Sequence, residues 1–148
     1  MKDSKQPKMV VSHESAKNKA EILLRAALSK KAYRPALLRL AGITPLADYF
    51  LILSARSNKH ARAIGEAILE RARIEGYKPV STEGLSQSTW VLLDIGDVIV
   101  HVFHEPVREF YDLESLWRDA PRESVSQELQ KEIDESDAAQ ADDDDDDF

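Results

Sequence analysis

The sequence predicts an α/β fold: a mixed β-sheet of about five strands flanked by helices in an α/β/α sandwich. Three observations carry this. Glu14–Lys31 and Asn58–Glu75 repeat apolar residues at helical spacing. Trp90–Asp94 and Val98–Phe103 alternate as strands around a short turn. The elements interleave in the order α-β-β-α-β-β-β-α, which lays helices against a sheet.

Each element has its own signals. In the first helix Ala16, Ala20, Leu23, Leu24, Ala27 and Leu28 share one face. Pro35 ends that run, and Ala36–Leu40 reads as a short strand containing Arg39. Gly42, Thr44 and Pro45 supply a turn before Asp48–Ala55, a buried strand rich in aromatic and branched residues. Ser57 is an N-cap for the second helix and Gly76 its stop, with Ala61, Ile64, Gly65, Ile68 and Ala72 as its apolar stripe. Lys78–Thr82 is a further strand. Pro106 opens a last helix over Val107–Asp119, whose packing stripe is Phe110, Leu113 and Trp117, with Tyr111 on another side. Residues 1–13 read as a flexible arm and 14–120 as the folded domain. Residues 121–148 read as an acidic, largely disordered tail in which Val125, Leu129 and Ile133 allow one marginal helix.

Composition narrows the function. The 148 residues suffice for one domain. With no cysteine there are no disulfides, thiolate metal sites or cysteine nucleophiles, and a reducing compartment such as the cytoplasm is the expected setting. No apolar run approaches the ~20 residues of a membrane helix. The net charge of −7 hides an asymmetry: Glu132–Phe148 holds ten acidic residues and no basic one, which leaves 17 acidic against 20 basic residues, or +3, elsewhere. So slight an excess, with no zinc finger, RNP-like strand or dense cationic stripe, gives no sequence-specific nucleic-acid module. Lys59, Arg62, Arg71 and Arg73 on the second helix are offset by Glu66, Glu70 and Glu75 and read as a solvated face.

The hairpin is the most informative stretch. With Ile95-Gly96 as its turn, Asp94 faces Asp97, Leu92 faces Ile99 and Trp90 faces His101. One face is then aliphatic, with Val91, Leu93, Val98, Val100 and Val102, and belongs to the core. The other mixes Trp90, Leu92, Asp94, Asp97, Ile99, His101 and Phe103, the composition of a protein-binding surface. Two readings of this second face stand: a binding surface, or a face covered by a helix with Trp90 as ordinary core.

Catalytic signals are weak. His101 and His104 point to opposite sides of a strand, and nothing brings His60 to them, so no metal site is expected. Asp94 and Asp97 are the best carboxylate pair for a metal-dependent nucleotidyltransferase-like enzyme, the alternative reading. Phosphate-loop and nucleophile-elbow patterns are absent. No cofactor is expected, and the balance is against an enzyme.

Five segments together carry a resemblance: Ala47–Ser57 (ADYFLILSARS), His60–Ile68 (HARAIGEAI), Glu83-Gly84, Trp90–Phe103 (WVLLDIGDVIVHVF) and Arg108–Ala120 (REFYDLESLWRDA). They resemble the ribosomal silencing factor family, also called Iojap, over residues 16–120. The resemblance implies a sandwich similar to nucleotidyltransferases without their catalytic set. It also implies binding to the large ribosomal subunit through its protein L-fourteen, steric block of subunit joining, and repression of translation when nutrients are scarce. Free members are often homodimers. Trp90, Leu92 and Tyr111 resemble the family's contact positions, and Asp94, His101, Phe103 and Arg108 share its signature. Arg39 stands where the family commonly has an acidic residue, and the loop Ser54–His60 lacks a glycine or threonine often found there.

Overall fold

A computed structural model describes residues 12–146, with side chains described for 15–141; the arm expected over 1–13 lies almost wholly outside these. The chain runs α1 (Ser12–Ser29), β1 (Tyr33–Arg39), β2 (Tyr49–Ala55), α2 (Asn58–Glu75), β3 (Ser81–Glu83), β4 (Trp90–Ile95), β5 (Val98–His104), α3 (Glu105–Tyr111), α4 (Leu113–Leu116) and α5 (Gln127–Asp146). The five strands form one sheet in the order β1-β2-β5-β4-β3. Only β2 and β5 are parallel, and α2 lies in the connection between them. That is the mixed α/β architecture expected. Among the described residues no helix is long and apolar enough to cross a membrane.

The first face of the sheet carries the larger core. Leu51, Leu53, Val91, Leu93, Val100 and Val102 bury there against Ala20, Leu23, Leu24 and Ala27 of α1 and Ala61, Ile64 and Ile68 of α2. The α2 caps are those the sequence signals: Ser57 Oγ accepts from His60 N, and Gly76 takes φ +83° to close the helix.

Two regions depart from expectation. Pro35 does not mark the end of the first helix, which stops at Ser29; it lies within β1. Arg34 takes φ +52° in a bulge that interrupts pairing between Tyr33 and Ala36. β1 is an outer strand, where a missing N–H is tolerated. Residues after 120, expected as a largely disordered tail, hold α5 and a return along the sheet edge. Arg39 N donates to Pro121 O and Glu123 N to Leu37 O, so Pro121–Glu123 covers the edge of β1. Ser126 Oγ accepts from Leu129 N at the start of α5, Leu129 and Ile133 bury in the first-face core, and Asp137 accepts the Arg34 backbone N–H at 2.8 Å. An acidic helix is thus held by a few apolar teeth and by an N–H that the bulge leaves over.

Candidate functional site

The second face is only half covered, and that is where the mixed residues lie. After β5 the chain turns at Pro106 into α3 and α4, which cross the β1–β2–β5 side. Phe50, Ile52, Ile99 and Phe103 bury beneath them, with Val107, Leu113 and Trp117 packed on top. No other element covers this face among the described residues, so β4 and β3 stay open. Trp90 packs against this smaller core yet keeps accessible surface.

The hairpin register differs from expectation by one step of the turn. Gly96-Asp97 is the two-residue loop, with Gly96 at φ +80°, a left-handed value suited to glycine at that place in a tight hairpin. Trp90 pairs with Phe103, Leu92 with His101, Asp94 with Ile99 and Ile95 with Val98. Partners move by two positions, and since side chains alternate with period two, both faces keep their members apart from Asp97. Asp94 and Asp97 do not oppose each other. Asp94 Oδ1 accepts from Gly96 N at 3.1 Å, whereas Asp97 is ion-paired at 2.7 Å to Lys19 of α1, on the first-face side. The carboxylate pair needed by the nucleotidyltransferase alternative does not form.

Trp90 sits in an aromatic ladder running from core to solvent. Its ring lies 4.7 Å from Phe103 and 5.1 Å from Tyr111, and Tyr111 lies 5.1 Å from Phe110. Phe103 is fully buried, Tyr111 is 56% exposed and Phe110 80% exposed. The indole N–H donates to His101 Nδ1 at 3.1 Å. His101 is buried, T-shaped against Phe50, and its Nε2 has no hydrogen-bond partner. An imidazole that accepts at Nδ1 is the neutral Nε2–H tautomer, and burial pushes its pKa down to about 4.

Arg108 holds the covering segment down. Its guanidinium donates to both oxygens of Glu114 (3.1 and 2.8 Å), to Ser54 Oγ (2.8 Å) and to Arg34 O (2.6 Å). The Arg108 hydrogen bond keeps the Glu114 carboxyl below the usual carboxylate range. His101, Phe103 and Arg108, included among the expected partner-binding residues, are thus buried supports with almost no accessible surface to offer. Trp90, Leu92, Asp94 and Tyr111 keep surface on the open side.

The last helix is a correction. Asp112 takes φ +49° and breaks the expected Val107–Asp119 helix into α3 and α4. Phe110, on α3 before the break, faces outward, while Leu113 and Trp117 pack as expected. Leu116, 76% exposed, joins Phe110 as apolar surface that helical spacing did not reveal. Arg62 lies on the exposed face of α2, as expected. It also donates to Leu85 O, Ser86 O and Ser88 Oγ and clamps the loop before Trp90. Within that loop Gly84 has φ +85°, and a Cβ there would lie 2.1 Å from the Trp90 carbonyl oxygen.

Comparison with known proteins settles the family. The profile of the family described as ribosomal silencing factor during starvation matches residues 13–147. The chain belongs to the ribosomal silencing factor family. It is 43% identical over 107 residues to the ribosomal silencing factor of Bacillus subtilis, covering 70% of this chain and 91% of that protein. The factor of Halalkalibacterium halodurans is 42% identical over 101 residues, covering 68% and 86% respectively. A crystal structure of a Bacillus halodurans protein superposes with a TM-score of 0.64 at 38% identity, covering 70% of this chain and 94% of that one. The family match reaches well past residue 120 and takes in α5, which the resemblance over residues 16–120 left out.

Proposed function

We propose that this chain is a translational repressor that acts by steric occlusion and not by catalysis. Its open sheet face docks on the large ribosomal subunit through protein L-fourteen, and the bulk of the domain excludes the small subunit when nutrients are scarce. The observation that carries this is the graded aromatic ladder on a half-covered face. Buried Phe103, His101 and Arg108 preorganise Trp90, Leu92 and Tyr111, which stay accessible. Rigid, partly desolvated aromatics of this kind are what protein interfaces use as anchors. The names of the relatives point the same way. Such a factor works where ribosomal subunits are held, in the cytoplasm of a bacterial cell, and needs no cofactor. In the free protein a second copy pairs with the first as a homodimer, which sedimentation equilibrium checks.

The test is co-sedimentation with purified large subunits. Trp90→Ala and Tyr111→Ala, each with a wild-type circular dichroism spectrum, should leave the subunit fraction. Undiminished binding by both folded variants would remove the interface assignment.

A further inference from the structure

The open half of the second face carries carboxylates and no cation on its own strands. Register places Glu83 of β3 across from Leu92 and Asp94 across from Ile99. Asp112 follows Tyr111 directly, at the left-handed break. Glu83 and Asp112 are exposed and Asp94 is half-buried. None of the three has an ion-pair partner among the described residues. There is no Lys or Arg on β3, β4 or β5, nor in the loop 84–89. The one arginine of α3, Arg108, is buried and already shared between Glu114, Ser54 and Arg34 O. The apolar anchors thus sit within three carboxylates that no described Lys or Arg pairs with.

We propose that this face selects a basic protein surface, one with Lys or Arg around an apolar hollow, and rejects the phosphate backbone of RNA. The inference rests on the docking reading above and deepens it. A ribosomal subunit presents both RNA phosphate and basic protein, so a rim of carboxylates decides between them. Trp90 and Tyr111 supply the desolvated contact, while Glu83, Asp94 and Asp112 steer encounter and repel the wrong surface. Exposed carboxylates act across about a Debye length, roughly 8 Å at physiological salt, so their effect fades as salt rises.

The experiment measures association of the full chain with purified large subunits, and with protein-free RNA from the same subunits, over a series of salt concentrations. The variant is Glu83→Gln/Asp94→Asn/Asp112→Asn. The two asparagines keep an acceptor for Gly96 N and Ser115 Oγ. Trp90→Ala runs in parallel. Expected is an association rate for subunits about threefold or more below wild type at low salt, converging with wild type at high salt. Wild type should leave bare RNA unbound. A neutralised variant with wild-type rate and salt dependence, alongside loss of binding by Trp90→Ala, overturns the charge inference and leaves the docking surface standing. Wild-type binding to bare RNA as tight as to subunits overturns it in favour of RNA. Retention of binding by Trp90→Ala instead brings down the docking reading on which it rests.

Discussion

The buried His101 makes this protein sensitive to mild acid in a calculable way. The folded imidazole is neutral, accepts the Trp90 indole N–H and has its pKa pushed down to about 4. In the unfolded chain a histidine titrates near about 6.5. The unfolded state therefore binds a proton that the native state refuses. Stability from this group is fully present above about pH 6.5 and is lost as pH falls toward about 4. At about 1.36 kcal/mol per pH unit, the loss between pH 7 and pH 5 is about 2 kcal/mol, and about 3 kcal/mol once both states are protonated. Protonation also turns Nδ1 from an acceptor into a donor that faces the indole N–H, so it disturbs the seat of Trp90 directly. His101→Phe removes the titration, and with it one hydrogen bond, at about 1 kcal/mol. Urea unfolding of wild type and His101→Phe at pH 7 and pH 5 tests this. The His60 pKa is also lowered by burial, but that residue is present in both proteins and cancels in the comparison. Wild type should lose about 2 kcal/mol more than the variant between the two pH values. Equal pH dependence, within about 0.5 kcal/mol, would refute the neutral buried imidazole, being well below the linkage figure.

Other outcomes follow from the same contacts. Gly84→Ala combines a left-handed backbone, about 1–2 kcal/mol, with a Cβ driven against the Trp90 carbonyl oxygen. It should lower the urea midpoint by the equivalent of about 3 kcal/mol or more, as overpacking against backbone adds to the strain. Arg108→Ala leaves Glu114, Ser54 and Arg34 O without their donor and should lose about 3–5 kcal/mol. Arg108→Lys should recover little, because one ammonium cannot replace a fork that bridges three partners; thermal unfolding separates the two. Arg62→Ala frees the loop before Trp90 and should increase the rate of indole N–H exchange at Trp90 in protein that is still fully folded. An unchanged rate would show that the clamp does not reach the tryptophan. The depressed Glu114 carboxyl contributes stability that is present above the unfolded carboxylate pKa, about 4.3, and lost as pH falls below it. That window lies under the one set by His101.

What could be read in the sequence, and what could not, divides by the range of the interaction. The strand faces were legible because alternation depends only on local geometry, and so they survived a turn displaced by one residue, from Ile95-Gly96 to Gly96-Asp97. The α2 caps at Ser57 and Gly76 were legible for the same reason. The break at Asp112 was not. An aspartate tolerates the left-handed region, but helical spacing runs through it unbroken, so that spacing puts Phe110 in the packing stripe and gives no sign of Leu116. The Arg62 clamp joins α2 to a loop more than twenty residues away, and nothing local distinguishes it from a solvated arginine. The burial of Arg108 and of α5 likewise depends on contacts across most of the chain, Arg108 with Arg34 O and Asp137 with Arg34 N. An acidic sequence read alone gives no sign that a β-bulge leaves it an N–H to accept.

The most direct measurement of the central proposal is hydrogen exchange along the whole wild-type chain, with and without saturating large subunits. If the half-covered sheet face is the docking surface, amides of residues 81–94 and 109–113 slow on binding, while the outer side of α1 and α2 around Ile22 and Ile74 exchanges as in the free protein. Slowing confined to α1 and α2, with Trp90 and Tyr111 unaffected, would place the ribosome on the opposite side of the molecule.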